Sequence, residues 1–565
     1  MTQSAQPSSY IPEPASKVLI IGLDGATWSI LDPLISSGCL PNIEKLIKNG
    51  ARGILESTIP PVTACAWPSF YTGRHPANHG VFDFRKRMSP DSTERGWVSQ
   101  TDIAGPTIWD IASAQDKTVG LINLPLTYPP VEVNGYMIGG MPVPPASDEI
   151  GYPKGLVNEI IHQTGGYISD IDLLRGESPD TGNPEKCFEF VDAVASAVET
   201  RGRAAGYLMD KHPTDLTFVV LVTPDRLTHL FYKIFSPRKS DPPLKEWEIE
   251  LKSRMIDAFK RMDAVVGDLV KKTNETDLIV VMSDHGFGPL DELLKMNRVL
   301  SDLGFLKFTS EAEGGIRRKI GRLLPESIKK PIRTILGMDR DSARNGENPK
   351  RKFDPYRLID WDNTKAYSGG STEQGIYLNV NGREPHGVVQ MGGEYHKVRD
   401  ELISALRNYK HPDGTAMFDW VEPSENIHSG EFLKDAPDIV FELRGYSAVV
   451  GEDAEPPTIG PWMQPRAGYH RRDGIVILNG PMIKRGIEIA RAGIIDVTPT
   501  ILACWGLSYD KSMDGEIIEN AVIDEFKRKF PPQKGEFQTS ARKIDTCKRD
   551  DSEVEDLMKG LGYLN

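Results

Sequence analysis

Short apolar runs that stop on an acidic turn recur along the chain. The first is Val18-Leu19-Ile20-Ile21-Gly22-Leu23, which ends in Asp24-Gly25-Ala26. Consecutive apolar positions, without alternation, are expected of a strand covered on both faces, as in a parallel sheet. The runs Leu216–Val222 and Asp277–Met282 repeat the pattern and stop at Thr223-Pro224-Asp225 and Ser283-Asp284-His285. Between them the apolar spacing lengthens to that of helices. Such spacing covers Trp28 to Gly50, broken at Pro41, then Ala64 to Tyr71 with Gly73 closing it, Phe188 to Met209, Met255 to Lys271 and Glu394 to Tyr409. Shorter strand signals fall at 53–58, 118–123, 136–140, 375–380 and 438–443. Strands alternating with helices predict an α/β fold: a mostly parallel central sheet with helices on both faces.

Two stretches interrupt this rhythm. Residues 142–185 are rich in Gly, Pro and Asp without clear periodicity, and 309–352 carry a basic amphipathic segment. The organisation expected is a polar tail over 1–16, one domain over 17–523 with insertions at about 141–190 and 309–360, and a charged surface tail over 524–565. In the second insertion, residues 314–338 set Arg317, Arg318, Lys319, Arg322, Lys329, Lys330 and Arg333 among apolar positions. That pattern fits an insertion packed on the core with a solvated cationic face. Weak contact with a membrane surface or an anionic substrate is the lesser reading of the same pattern.

Composition narrows the function classes. The 565 residues are 39% hydrophobic and 8% aromatic, suited to a globular protein, and a net charge of −13 argues against a general nucleic-acid surface. An anionic substrate would need local neutralisation by metal ions or clustered cations. Five cysteines (Cys39, Cys65, Cys187, Cys504 and Cys547), odd in number and without a C-x-x-C pair, fit neither a disulfide framework nor a thiolate zinc site. No run approaches about 18 apolar residues, and residues 1–16 lack the features of a secretion signal. A cytoplasmic protein without a transmembrane segment is the expectation.

Candidate chemistry collects where the strands end, which is where open α/β sheets place their ligands. Asp24 follows the first strand; it is either the cap of a turn or a metal ligand. Thr63 stands at the start of a helix, where it can be an N-cap, or where the helix end favours a bound phosphate. Asp225 and His229 share one helical face at i, i+4 spacing. Asp284 and His285 adjoin Gly286 and Gly288, which permit close backbone approach. His470 lies in a glycine-containing lead-in to a strand. Three aspartates and three histidines suffice for two divalent ions with oxygen and nitrogen ligands.

The motifs LIIGLDGATW, PPVTACAWPSFYTGRHPANHGVFDF, TPDRLTH, MSDHGFG, GYHRRDGIVILNG and IIDVTPTIL, in this order, make the chain resemble the alkaline phosphatase superfamily, specifically its type I phosphodiesterase and nucleotide pyrophosphatase branch. The resemblance covers most of residues 17–310 and 360–517. It implies a metal-dependent phosphoesterase acting on phosphodiester or pyrophosphate bonds, with Thr63 as nucleophile. It also implies one ion held by Asp24, Asp284, His285 and the Thr63 oxygen, and a second by Asp225, His229 and His470. Zinc is the first expectation and manganese the alternative. A phospho-threonine intermediate, hydrolysed by water, and an oxyanion contact from the Ala64 N–H complete the implied cycle. Where diesterase relatives often carry asparagine after the nucleophile, this chain has Ala64, and a phosphomutase, a phosphomonoesterase or a binding protein on the same fold are the alternatives. The partner expected is a small anionic phosphate-containing substrate, with no nucleic acid.

Overall fold

The structure is a computed structural model that describes residues 11–87, 95–171, 179–309, 355–370, 372, 374–451, 457–464 and 467–539, together with 554, 557 and 558. The basic stretch 314–338 and Arg175, which the first insertion offers as a further contact for an anionic substrate, lie outside the described residues.

Eleven strands concern the site. They are β1 (Val18–Leu23), β2 (Ala51–Glu56), β3 (Val119–Leu124), β4 (Gly135–Gly139), β5 (Gly151–Tyr152), β6 (Leu216–Leu221), β7 (Leu278–Met282), β8 (Gly286–Pro289), β9 (Gly468–Arg471), β10 (Asp473–Asn479) and β11 (Ile487–Gly493). All except β8 and β9 form one nine-stranded sheet in the order β11-β2-β10-β7-β1-β6-β3-β4-β5. β1 lies between β6 and β7 and pairs with both in parallel, Val18 opposite Leu216 on one side and Leu278 on the other. The antiparallel members are β10, between β7 and β2, and the two-residue edge strand β5. Every residue of β1, β3, β6 and β7 is buried, so helices cover both faces, as the unbroken apolar runs predicted.

Four helices hold the site or brace it: α1 (Thr63–Thr72), α2 (Pro184–Lys211), α3 (Thr223–Phe235) and α4 (Glu246–Val270). α1 ends at Gly73, whose φ of 64° is the left-handed C-cap that glycine favours. α3 carries Pro224 in its first turn, where the missing N–H leaves nothing unpaired.

Three expectations need correction. Residues 142–185, read as aperiodic, contain a helix over Leu156–Thr164 and contribute β5 to the sheet. The strands predicted near 375–380 and 438–443 do not rejoin the main sheet. Ala366–Ser368, Gly375–Leu378, Ile439–Leu443 and Phe418–Pro423 form a separate antiparallel sheet, with its own apolar core against the helix Gly393–Asn408. Short strands with intervening loops are ambiguous between the two arrangements. Finally, the C-terminal segment is not wholly a surface tail: Phe526, Val554, Leu557 and Met558 are buried in the main core. The spacing 554, 557, 558 is one helical face, hidden in the sequence among charged neighbours.

The chain leaves the main sheet through β8 and returns through β9, and these two strands pair antiparallel, Phe287 opposite His470. The second lobe is therefore entered and left through a two-stranded neck.

Candidate active site

The carboxyl ends of β1, β6 and β7 meet through their backbones. The Asp24 N–H donates to Leu221 O at 3.0 Å and the Asp225 N–H to Asp24 O at 3.0 Å, which locks the turn after β1 to the first turn of α3. Gly25, at φ 68°, turns the chain so that its N–H donates to Asp284 Oδ1 at 3.1 Å. A Cβ there would lie 2.6 Å from the Phe287 ring, so the site accepts no larger residue. Ser283 ties the third strand in: its hydroxyl donates to Ala26 O at 2.9 Å and accepts from the Ile475 N–H of β10 at 2.8 Å.

Around this frame the structure brings together all seven residues named as catalytic or metal-ligating from the sequence. His285 Nε2 lies 3.3 Å from Asp284 Oδ2, 3.9 Å from Asp24 Oδ1 and 3.2 Å from Thr63 Oγ1. His285 Nδ1 is 3.2 Å from Gly286 O; donating there leaves Nε2 with its lone pair toward the acids. On the other side, His229 Nε2 is 3.2 Å from Asp225 Oδ1 and 3.0 Å from His470 Nε2, and His470 Nε2 is 3.8 Å from Asp225 Oδ1. The His285 and His470 rings stack at 3.7 Å. Ligand atoms of Asp24, Asp284 and His285 all fall within 4.8 Å of one another, and so do those of Asp225, His285 and His470. His285 thus borders both groups.

Burial makes this arrangement costly without a counter-charge. Asp24, Asp225, Asp284, His285 and His470 are buried, and among the described residues no group donates a hydrogen bond to Asp24 Oδ1, Asp225 Oδ1 or Asp284 Oδ2. Burial, reinforced by Asp284 and Asp225, raises the Asp24 carboxyl well above the ordinary range. Asp284 is raised as well, chiefly by burial. Burial acts to raise Asp225 too, but His229, Arg226 and His470 outweigh it and hold this carboxyl low. His470 is pushed well below the usual imidazole value by burial and by its neighbours His285 and His229. Buried carboxylate oxygens converging with imidazole nitrogens are a donor set that fits divalent cations of hard to borderline character.

Thr63 is the first residue of α1, with its side chain fully buried and aimed at His285. The first helical bonds run from Cys65 and Ala66 to Val62 O, so the Ala64 N–H falls outside the helical ladder, at the positive end of the helix. The indole N–H of Trp67, one turn on, points to Asp24 Oδ2 at 3.4 Å.

Two residues that sequence reasoning missed complete the site. Arg226 donates through Nη1 to Asp225 Oδ2, and through Nη2 and Nε to Asp170 at 2.9 and 3.3 Å. Both Arg226 and Asp170 are 2% exposed. The guanidinium occupies one oxygen of Asp225 and leaves Oδ1 toward the histidines. Arg201 of α2 in turn donates to Ser169 O at 2.6 Å and Val220 O at 3.1 Å, fixing the loop that presents Asp170. Arg226 sits inside the TPDRLTH motif, where its place directly after Asp225 was the available signal. Asp170 gave none.

The fold of this chain is similar to that of phosphonoacetate hydrolase from Sinorhizobium meliloti 1021, solved with phosphonoacetate: TM-score 0.54, 14% identity, covering 86% of this chain and 95% of that one. The same hydrolase with phosphonoformate matches at TM-score 0.54 and 15% identity, with 86% and 95% covered. Human ectonucleotide pyrophosphatase / phosphodiesterase 5 is more distant, at TM-score 0.46 and 14% identity over 88% of this chain and 97% of that one. No curated protein sequence matches the chain. The profile of the type I phosphodiesterase / nucleotide pyrophosphatase family matches residues 18–470, across both lobes and all the converging acids and histidines, and the chain belongs to that family.

Proposed function

We propose that the protein is a metal-dependent phosphodiesterase or pyrophosphatase that works through a phospho-threonine intermediate on Thr63. The observation that carries this reading is the position of Thr63 Oγ1, buried at a helix start and 3.2 Å from His285 Nε2, beside the converging carboxylates. Asp24, Asp284 and His285 would hold one divalent cation and Asp225, His229 and His470 the other, with zinc the first choice for such donors and manganese the second. Such ions supply Lewis-acid stabilisation of negative charge on oxygen.

The chain's own groups do the rest. Thr63 Oγ1 forms the bond to phosphorus as the bond to the leaving oxygen breaks, and the Ala64 N–H, at the helix start, donates to a phosphoryl oxygen. Water then cleaves the phospho-threonine, releasing a phosphomonoester and restoring the hydroxyl. Trp67 holds Asp24, and Arg226 holds Asp225, in fixed rotamers while charge moves.

We propose a cytoplasmic location from the cysteine usage: five cysteines, odd in number and without a C-x-x-C pair, suit a reducing compartment. Among the described residues no helix is long and apolar enough to cross a membrane.

Thr63→Ala should lower kcat by at least about 1,000-fold while the protein stays folded; retention of most activity would remove the covalent mechanism. Paired rates on an aryl phosphodiester and its monoester test the bond type. A monoester faster by more than about 100-fold, or about 2.7 kcal/mol in transition-state binding, would favour the monoesterase or mutase reading instead.

A further inference from the structure

The second lobe sends one buried amide toward the edge of the reactive centre. Gln374 stands just before the strand Gly375–Leu378 and is 2% exposed, yet neither its Nε2 nor its Oε1 has a hydrogen-bond partner among the described residues. Its φ of 46° lies in the left-handed region that residues other than glycine seldom adopt. An unsatisfied buried amide and a strained backbone therefore coincide at one residue, and both oppose folding. An apolar side chain would fill the same space without the first of these costs.

The amide faces the phenol of Tyr469. Tyr469 is 7% exposed, set in a small apolar cluster with Leu290, Val449 and Ala467, and its hydroxyl likewise has no partner among the described residues. Burial raises the pKa of this hydroxyl, Asp83 adds to the rise, and the neighbouring Gln374 amide opposes it. Amide and hydroxyl are thus close, although no hydrogen bond closes between them. The Tyr469 ring stacks on His470 at 4.8 Å, and His470 stacks on His285 at 3.7 Å, so Tyr469 continues the ring stack that begins at the reactive centre.

Both lobes hold this arrangement in place. Thr372, two residues before Gln374, donates its hydroxyl to Asp83 of the main lobe. The Cys65 thiol, two residues after Thr63, donates to Phe82 O at 2.8 Å. Phe82 and Asp83 therefore tie the first turn of α1 to the segment that carries Gln374.

The chemistry of the two groups narrows what they can bind. An amide offers N–H donors and a carbonyl acceptor, and a phenol offers one donor and acceptor capacity. Together they match a neutral group that both donates and accepts, such as an alcohol hydroxyl. A second anion fits less well, because the Asp83 carboxylate already acts on the phenol.

We propose that Gln374 and Tyr469 are specificity-determining residues that hydrogen-bond a neutral hydroxyl on the alcohol portion of the substrate, so that hydroxylated phosphodiesters are preferred over their deoxy counterparts. This rests on the phosphoesterase reading above and adds to it the residues, one from each side of the lobe boundary, that choose among alcohols.

The test compares wild type with Gln374→Met and Tyr469→Phe on two diesters that differ only in hydroxyls: p-nitrophenyl 2,3-dihydroxypropyl phosphate and p-nitrophenyl propyl phosphate. Wild type should favour the hydroxylated ester by about tenfold or more in kcat/KM, because a site built to bond a hydroxyl rejects the analogue that lacks it. Either variant should lower that ratio by about tenfold, mainly through KM. A merely structural role would slow both esters alike and leave the ratio unchanged, which would overturn the proposal, as would a wild type indifferent to the hydroxyls. Tyr469→Phe keeps the ring and removes only the hydroxyl, so it serves if Gln374→Met fails to fold. If wild type cleaves neither ester, the function proposed above fails, and calorimetric titration with glycerol 3-phosphate and propyl phosphate decides this proposal separately. Tighter binding of glycerol 3-phosphate by wild type, lost in Tyr469→Phe, is the expected result; equal affinity for the two ligands, or binding of neither, overturns it.

Discussion

The imidazole of His79 is held in one tautomer by its surroundings. The Val81 N–H donates to Nδ1 at 3.2 Å, so the proton sits on Nε2 and donates to Ser69 Oγ at 2.9 Å. Charging the ring would set an N–H against an N–H inside the core, and burial, with nearby His75 and Arg74, pushes its pKa down to about 3. The unfolded chain binds this proton near pH 6.5, so stability is complete above that value and falls as pH drops toward 3. Denaturant unfolding as a function of pH should therefore show a steeper slope in wild type than in His79→Asn over that window, by up to about 1.4 kcal/mol per pH unit. Asp170 supports a second test at this scale. Asp170→Asn removes the charge that balances Arg226 and should weaken binding of zinc or manganese by about 10- to 100-fold, measured by titration calorimetry with the fold verified by circular dichroism. Asp24, Asp225 and Asp284 were legible because each closely follows an apolar run, with His229 and His285 beside them, and His470 because it stands in a glycine-containing lead-in to a strand, all local signals. Asp170 was not, because its meaning depends on a contact with Arg226 across 56 residues, and no local pattern encodes such a pairing.

Among the elements, the strand ends are where packing tolerance is smallest. Gly286 opens β8 directly after His285, and a Cβ on it would stand 2.0 Å from Asp473 O, a backbone atom that can move only if β10 moves. Gly286→Ala should destabilise the protein by about 1–3 kcal/mol and, by shifting His285, lower activity beyond what the loss of stability explains. Chemical denaturation together with kcat at a temperature where both proteins are folded separates the two effects. The fully apolar strands β1, β6 and β7 were readable because burial on both faces leaves an unbroken run. The edge strand β5 was not, since two residues carry no period at all. The antiparallel sheet of the second lobe was misassigned to the main sheet because its strands, three to six residues long, look alike in either setting.

At the scale of the whole molecule, the stability of the main lobe is tied to the charge it encloses. Asp24, Asp225 and Asp284 crowd the ends of three adjacent strands, and a divalent cation that binds only the folded state should stabilise it by about 2.7 kcal/mol at 100 times its dissociation constant. Differential scanning calorimetry should show the midpoint falling on treatment with chelator and recovering when zinc or manganese is restored, whereas Asp284→Asn should respond weakly to either. The neck formed by β8 and β9 bears on how such an enzyme can diversify. Because the chain crosses to the second lobe and back at neighbouring positions, Gly286 opposite Arg471, the lobe is topologically a cassette whose ends are already joined. A different lobe could be grafted between Pro289 and Gly468 without reordering the nine-stranded sheet. His285 immediately precedes one side of that joint and His470 lies within the other, so an exchanged cassette would meet the reactive centre in a fixed pose, and selectivity could be changed by modular replacement while the chemistry stays in place.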